Sequence, residues 1–195
     1  MKTVFLDIDS QLDFLYPAGA LYVPGAERIV SKIARLNHFA AAQGIPVIST
    51  MDAHTEDDPE FEVWPHHCVA GAWGQRKAGR TLLERRVVIP NRECELEPVR
   101  GAQQIVVEKQ TVDAFRSANL SRVLQILAGE RYVVYGVVTE ICVYYAVRGL
   151  LETGHPVIVV SDGVETLQSA AGQKAITEMC AGGAMLAPAD EVCGG

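Results

Sequence analysis

The chain has 195 residues, 49% hydrophobic and 21% charged, a composition that can bury a sizeable core and excludes a disordered chain. Its net charge of −7, without a long basic block, argues against nucleic acid or an anionic membrane surface as a partner, and no apolar run is long enough to span a bilayer. Five cysteines without a C-x-x-C spacing, and an early acid at Asp7 that is atypical of a signal peptide, favour a reduced cytoplasmic protein.

Segments predicted as strands alternate with segments of helical periodicity along the chain. The first strand, 3–9, is almost continuously apolar, as is typical of a central parallel strand covered on both faces. Further strands are predicted at 46–50, 87–89, 104–109, 132–138 and 156–161, and 184–187 is a candidate for a last short one. Helices are predicted at 26–42, after an Asn119 cap, around Cys142 and at 169–181. This alternation predicts a single domain, 1–195, with a parallel sheet and helices on both faces.

Cys142 follows a predicted strand and a bend at Thr139-Glu140, in the first turn of a predicted helix. A thiol there lies near the positive end of the helix dipole and near free backbone N–H groups, which favour the thiolate. The residue is therefore a candidate nucleophile. The alternative is that Cys142 is a small buried hydrophobe, as most free cysteines are.

Two more chemical groups follow other predicted strands. Asp9 comes after the first strand, and Lys109 ends the strand IVVEK. Because open α/β sheets place their sites at the carboxyl ends of strands, we expect Asp9, Lys109 and Cys142 to converge. A carboxylate could take the thiol proton, and an ammonium could stabilise the resulting anion. Each residue also has an ordinary explanation, as a turn cap, a solvated strand end or a core thiol.

The irregular segment MDAHTEDDPEFEVWPHHCVAG follows the second predicted strand and contains a possible metal site. Carboxylate and imidazole side chains are ligands that suit zinc, manganese or iron. The spacing does not decide whether His66 or His67 would be the ligand, and a solvated acidic loop is the alternative reading of the whole segment. The candidate ligands are Asp52, His54, Glu60 and His67.

Four motifs in combination resemble the nicotinamidase branch of the isochorismatase-like cysteine hydrolases. They are LDIDSQLDF, STMDAHTEDDPEFEVWPHHCVAG, VEKQTVDAF and GVVTEICV, and the resemblance covers Val4 to Leu186. It implies a three-layer αβα, Rossmann-like fold with a central six-stranded parallel sheet. It also implies a catalytic set of Asp9, Lys109 and Cys142, with Asp9 rather than Asp7 matching the D-x-Q-x-D-F pattern.

The resemblance also implies a cis peptide bond at Val137-Val138, which costs about 3–4 kcal/mol and persists only where the surroundings enforce it. The bond would direct the backbone N–H of Val138, together with that of Cys142, toward an oxyanion.

A single divalent metal ion that binds the pyridine nitrogen of the substrate distinguishes this branch. The resemblance assigns its ligands to Asp52, His54 and His67, the last through the W-P-x-H pattern. Glu60 stands where a fourth ligand is often histidine. Zinc is the metal that the resemblance favours, with manganese or iron as alternatives.

Aromatic side chains would form the walls around the substrate ring, which is a reasonable way to bind a flat heterocycle. The resemblance assigns them to Phe14, Trp64 and, less directly, Phe115. The implied reaction is hydrolysis of nicotinamide to nicotinate and ammonia through a cysteine thioester, in the salvage of NAD. Members of the family are often homo-oligomers.

Two other functions stay open at this point. The same fold and thiol chemistry could act on another small amide, on a carbamoyl compound or on isochorismate. The chain could also be a catalytically silent binding or scaffold protein, although all three catalytic positions are filled. The segment 75–100 has no clear interpretation and could cover the pocket or face a partner.

Overall fold

One parallel sheet runs through the computed structural model, which describes residues 1–194. Its strands are β1 (Thr3–Ile8), β2 (Val47–Asp52), β3 (Arg86–Ile89), β4 (Gln104–Lys109), β5 (Arg131–Gly136), β6 (Val157–Val164) and β7 (Met185–Ala187). They lie in the order β3-β4-β2-β1-β5-β6-β7. The implied count of six strands is wrong for this chain, because Met185–Ala187 pairs with β6 and extends that edge, giving seven strands within residues 1–194.

Helices cover both faces of the sheet. They are α1 (Leu12–Leu15), α2 (Val30–Ala42), α3 (Leu120–Leu127), α4 (Tyr144–Glu152), α5 (Ser169–Ala181) and α6 (Ala189–Val192). Apolar residues of α3, α4 and α5 pack with one face of the sheet in one core cluster. Residues of α1, α2 and α6 pack with the other face in a second cluster. The expected α/β architecture with helices on both faces is therefore confirmed.

Several element boundaries differ from the sequence-based expectation. The predicted helix 26–42 is a short 3-10 turn, Ala26–Arg28, followed by α2. Asn119 precedes α3 as predicted but does not cap it through its side chain. Its amide instead donates to the carbonyl oxygens of Pro90 and Arg92, at 2.8 and 2.7 Å, and so fixes the loop after β3.

The segment 75–100, which had no clear interpretation, forms the edge of the sheet. It contains the 3-10 turn Gly79–Thr81 and β3, and it ends within the 3-10 turn Glu97–Gly101. None of the helices found within residues 1–194 has the length and hydropathy needed to cross a membrane.

The strands that end at the candidate site are neighbours in the sheet. In the register of the ladders, Asp52 of β2 pairs with Lys109 of β4, and Ile8 of β1 pairs with Gly136 of β5. Their carboxyl ends therefore lie at one edge, which brings Asp9 and the Cys142 turn to the same place.

Candidate active site and metal centre

Asp9 directly follows β1 and has a φ of 46°, in the left-handed region that few non-glycine residues adopt. The Thr50 side chain, from β2, is hydrogen-bonded to both the backbone and the side chain of Asp9. The Asp9 N–H donates to the Thr50 hydroxyl oxygen at 3.1 Å, and that hydroxyl donates to Asp9 Oδ1 at 2.6 Å. With Oδ1 held in this way, Oδ2 is the oxygen that faces the ammonium of Lys109, 2.9 Å away.

Asp7, the other acid of the first motif, belongs to a different part of the core. Its Oδ2 accepts hydrogen bonds from Ser49 and Asn37, at 3.0 and 3.2 Å, and lies 3.4 Å from the Lys77 ammonium. The structure therefore agrees with the assignment of Asp9 rather than Asp7 to the site.

Lys109 is the centre of the charged cluster. Its side chain is 1% exposed, and its ammonium lies 2.9 Å from Asp9 Oδ2 and 2.5 Å from Asp52 Oδ1. The same nitrogen donates to the carbonyl oxygen of Thr111 at 3.1 Å and lies 3.7 Å from Cys142 Sγ. One buried cation thus connects the candidate base, the candidate nucleophile and a candidate metal ligand.

The protonation states follow from burial and from these charges. Burial alone would raise the pKa of Asp9, but the Lys109 ammonium and the Thr50 hydroxyl outweigh it and hold the pKa below its usual value. Burial acts against a charged Lys109, yet the carboxylates of Asp52 and Asp9 keep its pKa well above normal. Asp9 is therefore a carboxylate and Lys109 an ammonium at neutral pH.

Cys142 does not have the depressed pKa that its helix position suggested. Burial raises the pKa of this thiol well above its ordinary value, and the carboxylates of Asp9 and Asp52 act in the same direction. The Lys109 ammonium opposes them but is outweighed. The candidate nucleophile is thus a neutral thiol at neutral pH, with a proton that the nearby Asp9 carboxylate could remove.

The turn that carries Cys142 is a short π-helix, Thr139–Val143, which leads into α4. The peptide bond Val137-Val138 before it is cis, as the resemblance implies. The N–H of Val138 donates to no backbone acceptor within residues 1–194, and Val138 and Cys142 both line the candidate cavity. Their N–H groups are thus candidates for binding an oxyanion.

Asp52, His54 and His67 form a compact group of donor atoms. One potential ligand atom from each residue lies within 4.8 Å of the others, and all three side chains are buried. His54 Nδ1 is 3.0 Å from Asp58, while Nε2 is a buried atom without a hydrogen-bond partner in residues 1–194. His67 Nδ1 lies 2.7 Å from the Pro65 carbonyl oxygen. Both rings are thereby oriented with Nε2 available, and the group fits a divalent metal ion.

The two acids of this centre differ in position. Burial raises the pKa of Asp52 to about 7; the Lys109 ammonium opposes this shift, and the negative charge of Asp9 adds to it. Glu60 is only partly buried, its Oε1 lies 4.0 Å from His67 Nε2, and it is outside the compact group of three. Burial also raises the Glu60 pKa. Glu60 therefore lies beside this group without being part of it.

The two adjacent histidines have different environments. His67 is 2% exposed and its ring packs beside Phe14, at a centroid distance of 5.4 Å. His66 is exposed and stacks on Phe61 at 4.2 Å. The structure therefore places His67, the histidine chosen by the W-P-x-H pattern, with the other candidate ligands.

A cavity opens beside Cys142 and the metal group. Its walls come from the segment after β1, the segment 51–71 with the candidate metal ligands (the metal loop), the segment after β4, the Cys142 turn and the loop before α5. The lining residues are Phe14, Leu21, Asp52, Glu60, Trp64, His67, Val112, Val138, Ile141, Cys142 and Leu167. Phe14 and Trp64 are thus among the residues that line the cavity.

Phe115 does not line this cavity, contrary to expectation. It lies in the 3-10 turn Ala114–Arg116, and Gly149 of α4 leaves the space that its ring fills. A Cβ atom at Gly149 would come within 2.3 Å of the ring. The aliphatic residues Leu21, Val112 and Leu167, which sequence reasoning did not identify, complete the walls instead.

Sequence reasoning also missed the residues that hold the site together. The Gln11 amide pairs with the backbone of Asp52, accepting from its N–H at 2.7 Å and donating to its carbonyl oxygen at 2.9 Å. The Asp13 carboxylate accepts from the N–H of Cys68, directly after His67, at 2.7 Å. The first motif therefore supplies Asp9 and also fixes both ends of the metal loop. Asp58 had a sequence signal, since an acid before Pro59 is typical of a helix start.

Comparison with known proteins places this geometry in a family. The family profile described as isochorismatase domain matches residues 3–191. Nicotinamidase from Escherichia coli (strain K12) is 24% identical over 200 residues, which cover 92% of this chain and 91% of that protein.

Two solved structures have the same fold. Pyrazinamidase of Pyrococcus horikoshii in complex with zinc has a TM-score of 0.82 at 23% identity, covering 96% of this chain and 99% of that one. N-carbamoylsarcosine amidase from Thermoplasma acidophilum has a TM-score of 0.80 at 24% identity, covering 97% and 98%. The matched domain spans nearly the whole sequence, and the family predicted from the motifs is confirmed. The chain belongs to the isochorismatase family.

Proposed function

We propose that the protein is a nicotinamidase, an amidohydrolase that converts nicotinamide to nicotinate and ammonia. The observation that carries the proposal is a shared cavity. Cys142, with Asp9 and Lys109 behind it, lines the same small space as the metal candidates Asp52 and His67. A pyridine carboxamide has a carbonyl carbon that a thiol can attack and a ring nitrogen that a metal ion can bind, so it matches both groups of this cavity.

Asp9 and Cys142 would carry the covalent chemistry. Asp9 Oδ2 accepts the thiol proton as the sulfur attacks the carboxamide carbon, and the N–H groups of Val138 and Cys142 bind the oxygen that becomes negative. Asp9 then returns the proton to the amine as the C–N bond breaks, which releases ammonia and leaves a thioester. Water attacks the thioester while Asp9 takes one of its protons, and Asp9 returns that proton to the departing sulfur, which restores the thiol. The acid product loses its remaining proton to solvent and leaves as nicotinate.

Lys109 would stabilise the anionic states of this sequence. Its ammonium lies between Asp9 and Asp52 and close to Cys142, so it can balance a negative charge on either oxygen or sulfur as the proton moves. Because it is fully buried, its charge is poorly screened by solvent and its effect on the pair is strong.

Asp52, His54 and His67 would hold one divalent metal ion, with Glu60 as a proposed fourth ligand. The mixture of carboxylate and imidazole donors suits zinc first, with manganese or iron as alternatives. When bound, the ion would supply a Lewis acid for the pyridine nitrogen and so fix the ring. Phe14 and Trp64 would hold the flat faces of that ring.

A second candidate is hydrolysis of another small amide or carbamoyl compound by the same thiol. It is favoured by the similarity to N-carbamoylsarcosine amidase, whose TM-score of 0.80 is close to that of the pyrazinamidase structure. Its substrate would not need a ring nitrogen at a metal.

The two candidates are separated by measuring ammonia release from nicotinamide and from N-carbamoylsarcosine, with and without a chelator. Nicotinamide turnover that a chelator abolishes and added zinc restores supports the proposal. Turnover of the carbamoyl compound alone, unaffected by the chelator, supports the second candidate. Metal binding without turnover of any amide would contradict both and favour a scaffold protein.

A further inference from the structure

One wall of the cavity comes from a segment that the chemistry above does not use. Leu167 lies in the loop between β6 and α5, and its half-buried side chain lines the cavity beside Ile141 and Cys142. The loop carries no group of the catalytic set or of the metal centre. The position of the loop relative to Cys142 therefore depends on the hydrogen bonds that connect it to the rest of the fold.

These hydrogen bonds are made by the two residues at the start of the Cys142 turn. The N–H and the hydroxyl of Thr139 both donate to the Glu165 carbonyl oxygen, at 2.8 and 2.7 Å. The Glu140 carboxylate accepts from the Thr166 hydroxyl at 2.6 Å and from the Gln168 N–H at 2.9 Å. The residues on both sides of Leu167 are therefore bonded to a segment that begins three residues before the nucleophile.

The Glu140 carboxylate is committed to this contact. One oxygen accepts from Thr166 and the other from Gln168, so both are engaged with the loop. Within residues 1–194, Glu140 forms no salt bridge that would give it a different role. Hydrogen bonds to an ionised acceptor are stronger than those between neutral groups. Glu140 therefore ties the loop more firmly than a neutral side chain would.

Helix α5 makes room for the same contact. A Cβ atom at Gly172 would lie 2.4 Å from the Thr166 hydroxyl oxygen, so only glycine allows Thr166 its present position. Loop, turn and helix thus meet at Thr166, next to Leu167.

We propose that Leu167 determines the size of the substrate ring that the cavity accepts, and that Glu140 is a positioning residue that holds Leu167 against the Cys142 turn. This inference rests on the proposed function for the choice of substrates, which are planar aromatic carboxamides. On this proposal a single ring would bind beside the leucine side chain, and a fused second ring would compete for the space that the side chain occupies.

The first test compares substrates of different size. The ratio of kcat/KM for quinoline-3-carboxamide to that for nicotinamide is measured in wild type, Leu167→Ala and the matched control Leu82→Ala, a half-buried leucine outside the cavity. We expect the ratio to rise about ten-fold or more in Leu167→Ala and to stay unchanged in the control. An unchanged ratio in Leu167→Ala would overturn the assignment of Leu167.

The second test does not depend on turnover. Cys142 is alkylated with iodoacetamide or with the bulkier N-(1-naphthyl)iodoacetamide, and modification of the Cys142 peptide is followed by mass spectrometry. We expect the rate ratio of bulky to small reagent to rise about ten-fold in Leu167→Ala and in Glu140→Ala. Glu140→Gln, which keeps one acceptor oxygen, should give an intermediate ratio, and the exposed control Glu152→Gln on α4 should give the wild-type ratio.

The outcomes separate the two proposals. If wild type releases no ammonia from nicotinamide but the alkylation ratios change as expected, the proposed function fails and the inference stands. If nicotinamide is hydrolysed and neither ratio changes in Leu167→Ala, the inference is overturned and the function stands. If Glu140→Ala is folded, as checked by its thermal transition, and has the wild-type alkylation ratio, then Glu140 does not position Leu167.

Discussion

The ammonium of Lys109 lies 2.9 Å from Asp9 Oδ2, although the two residues belong to the ends of β4 and β1, which are separated in the sheet by β2. The intervening strand contributes Asp52, whose Oδ1 is 2.5 Å from the same nitrogen. The cation is thus shared between the candidate base and a candidate metal ligand. The proposed proton transfer at Cys142 and the proposed metal binding at Asp52 would therefore be electrostatically connected.

Replacement of Lys109 by methionine should destabilise the fold. The substitution keeps a similar volume but leaves two buried carboxylates without their cation, and breaking a buried ion pair costs about 3–5 kcal/mol. The free energy of unfolding is measured in urea. The control Lys174→Met removes an exposed lysine that is paired with Glu178 at 3.8 Å, and should change stability by less than about 0.5 kcal/mol. Equal stability of the two variants would contradict the central role of Lys109.

Replacement of Asp9 by asparagine should have opposite effects on thiol reactivity and on turnover. The Asp9 carboxylate raises the pKa of Cys142, so its loss should lower that pKa and accelerate alkylation of Cys142 at a given pH near neutrality. Turnover should fall by about 10²–10⁴-fold, because no general base remains. Both are measured on the same preparation, by peptide mass spectrometry and by ammonia release. Slower alkylation together with retained turnover would show that Asp9 is not the base.

Asp58 should tune the metal site without being a ligand. Its carboxylate lies 3.0 Å from His54 Nδ1 and so fixes the ring with Nε2 free. We expect Asp58→Asn to weaken zinc binding by about 10–100-fold, measured by competition with a chromophoric chelator. The adjacent exposed residue Asp57 provides the control, and Asp57→Asn should bind zinc as wild type does. Equal affinity in the two variants would mean that Asp58 does not orient His54.

Metal affinity should fall below neutral pH. The pKa of Asp52 in the metal-free protein is about 7, and its carboxyl must lose a proton before it can bind a cation. Above that pKa the proton is already absent and imposes no cost. Below it, each unit of pH should weaken binding by up to about ten-fold. Chelator competition between about pH 8 and about pH 6 measures the slope. A flat profile would indicate that Asp52 is not a ligand.

The convergence of the three candidate catalytic residues could be predicted because it depends on topology. Parallel strands bring their carboxyl ends to one edge, so Asp9, Lys109 and Cys142 could be placed together before any coordinates were known. The metal loop followed from residue types and spacing. The sequence marks 184–187 as a candidate strand, but β7 is only three residues long, and a segment of that length has too few positions for a periodicity to predict its pairing.

The parts that the sequence did not predict depend on burial and on contacts across the fold. The position of Cys142 near a helix start favoured a thiolate, but full burial raises its pKa, and burial of a single side chain is not visible in a sequence. Phe115 is aromatic and lies within a motif, but its ring packs against Gly149, a residue distant in the sequence, instead of lining the cavity. The contacts of Gln11 with the Asp52 backbone are likewise long-range.

The central claim is that Cys142 forms a nicotinoyl thioester. Wild type and Cys142→Ala are mixed with nicotinamide, quenched in acid within the first turnovers, and digested for mass spectrometry, while ammonia is measured in parallel. On this claim we expect a nicotinoyl adduct on the Cys142 peptide of wild type, and no ammonia release above background from Cys142→Ala. Undiminished ammonia release from Cys142→Ala would contradict it.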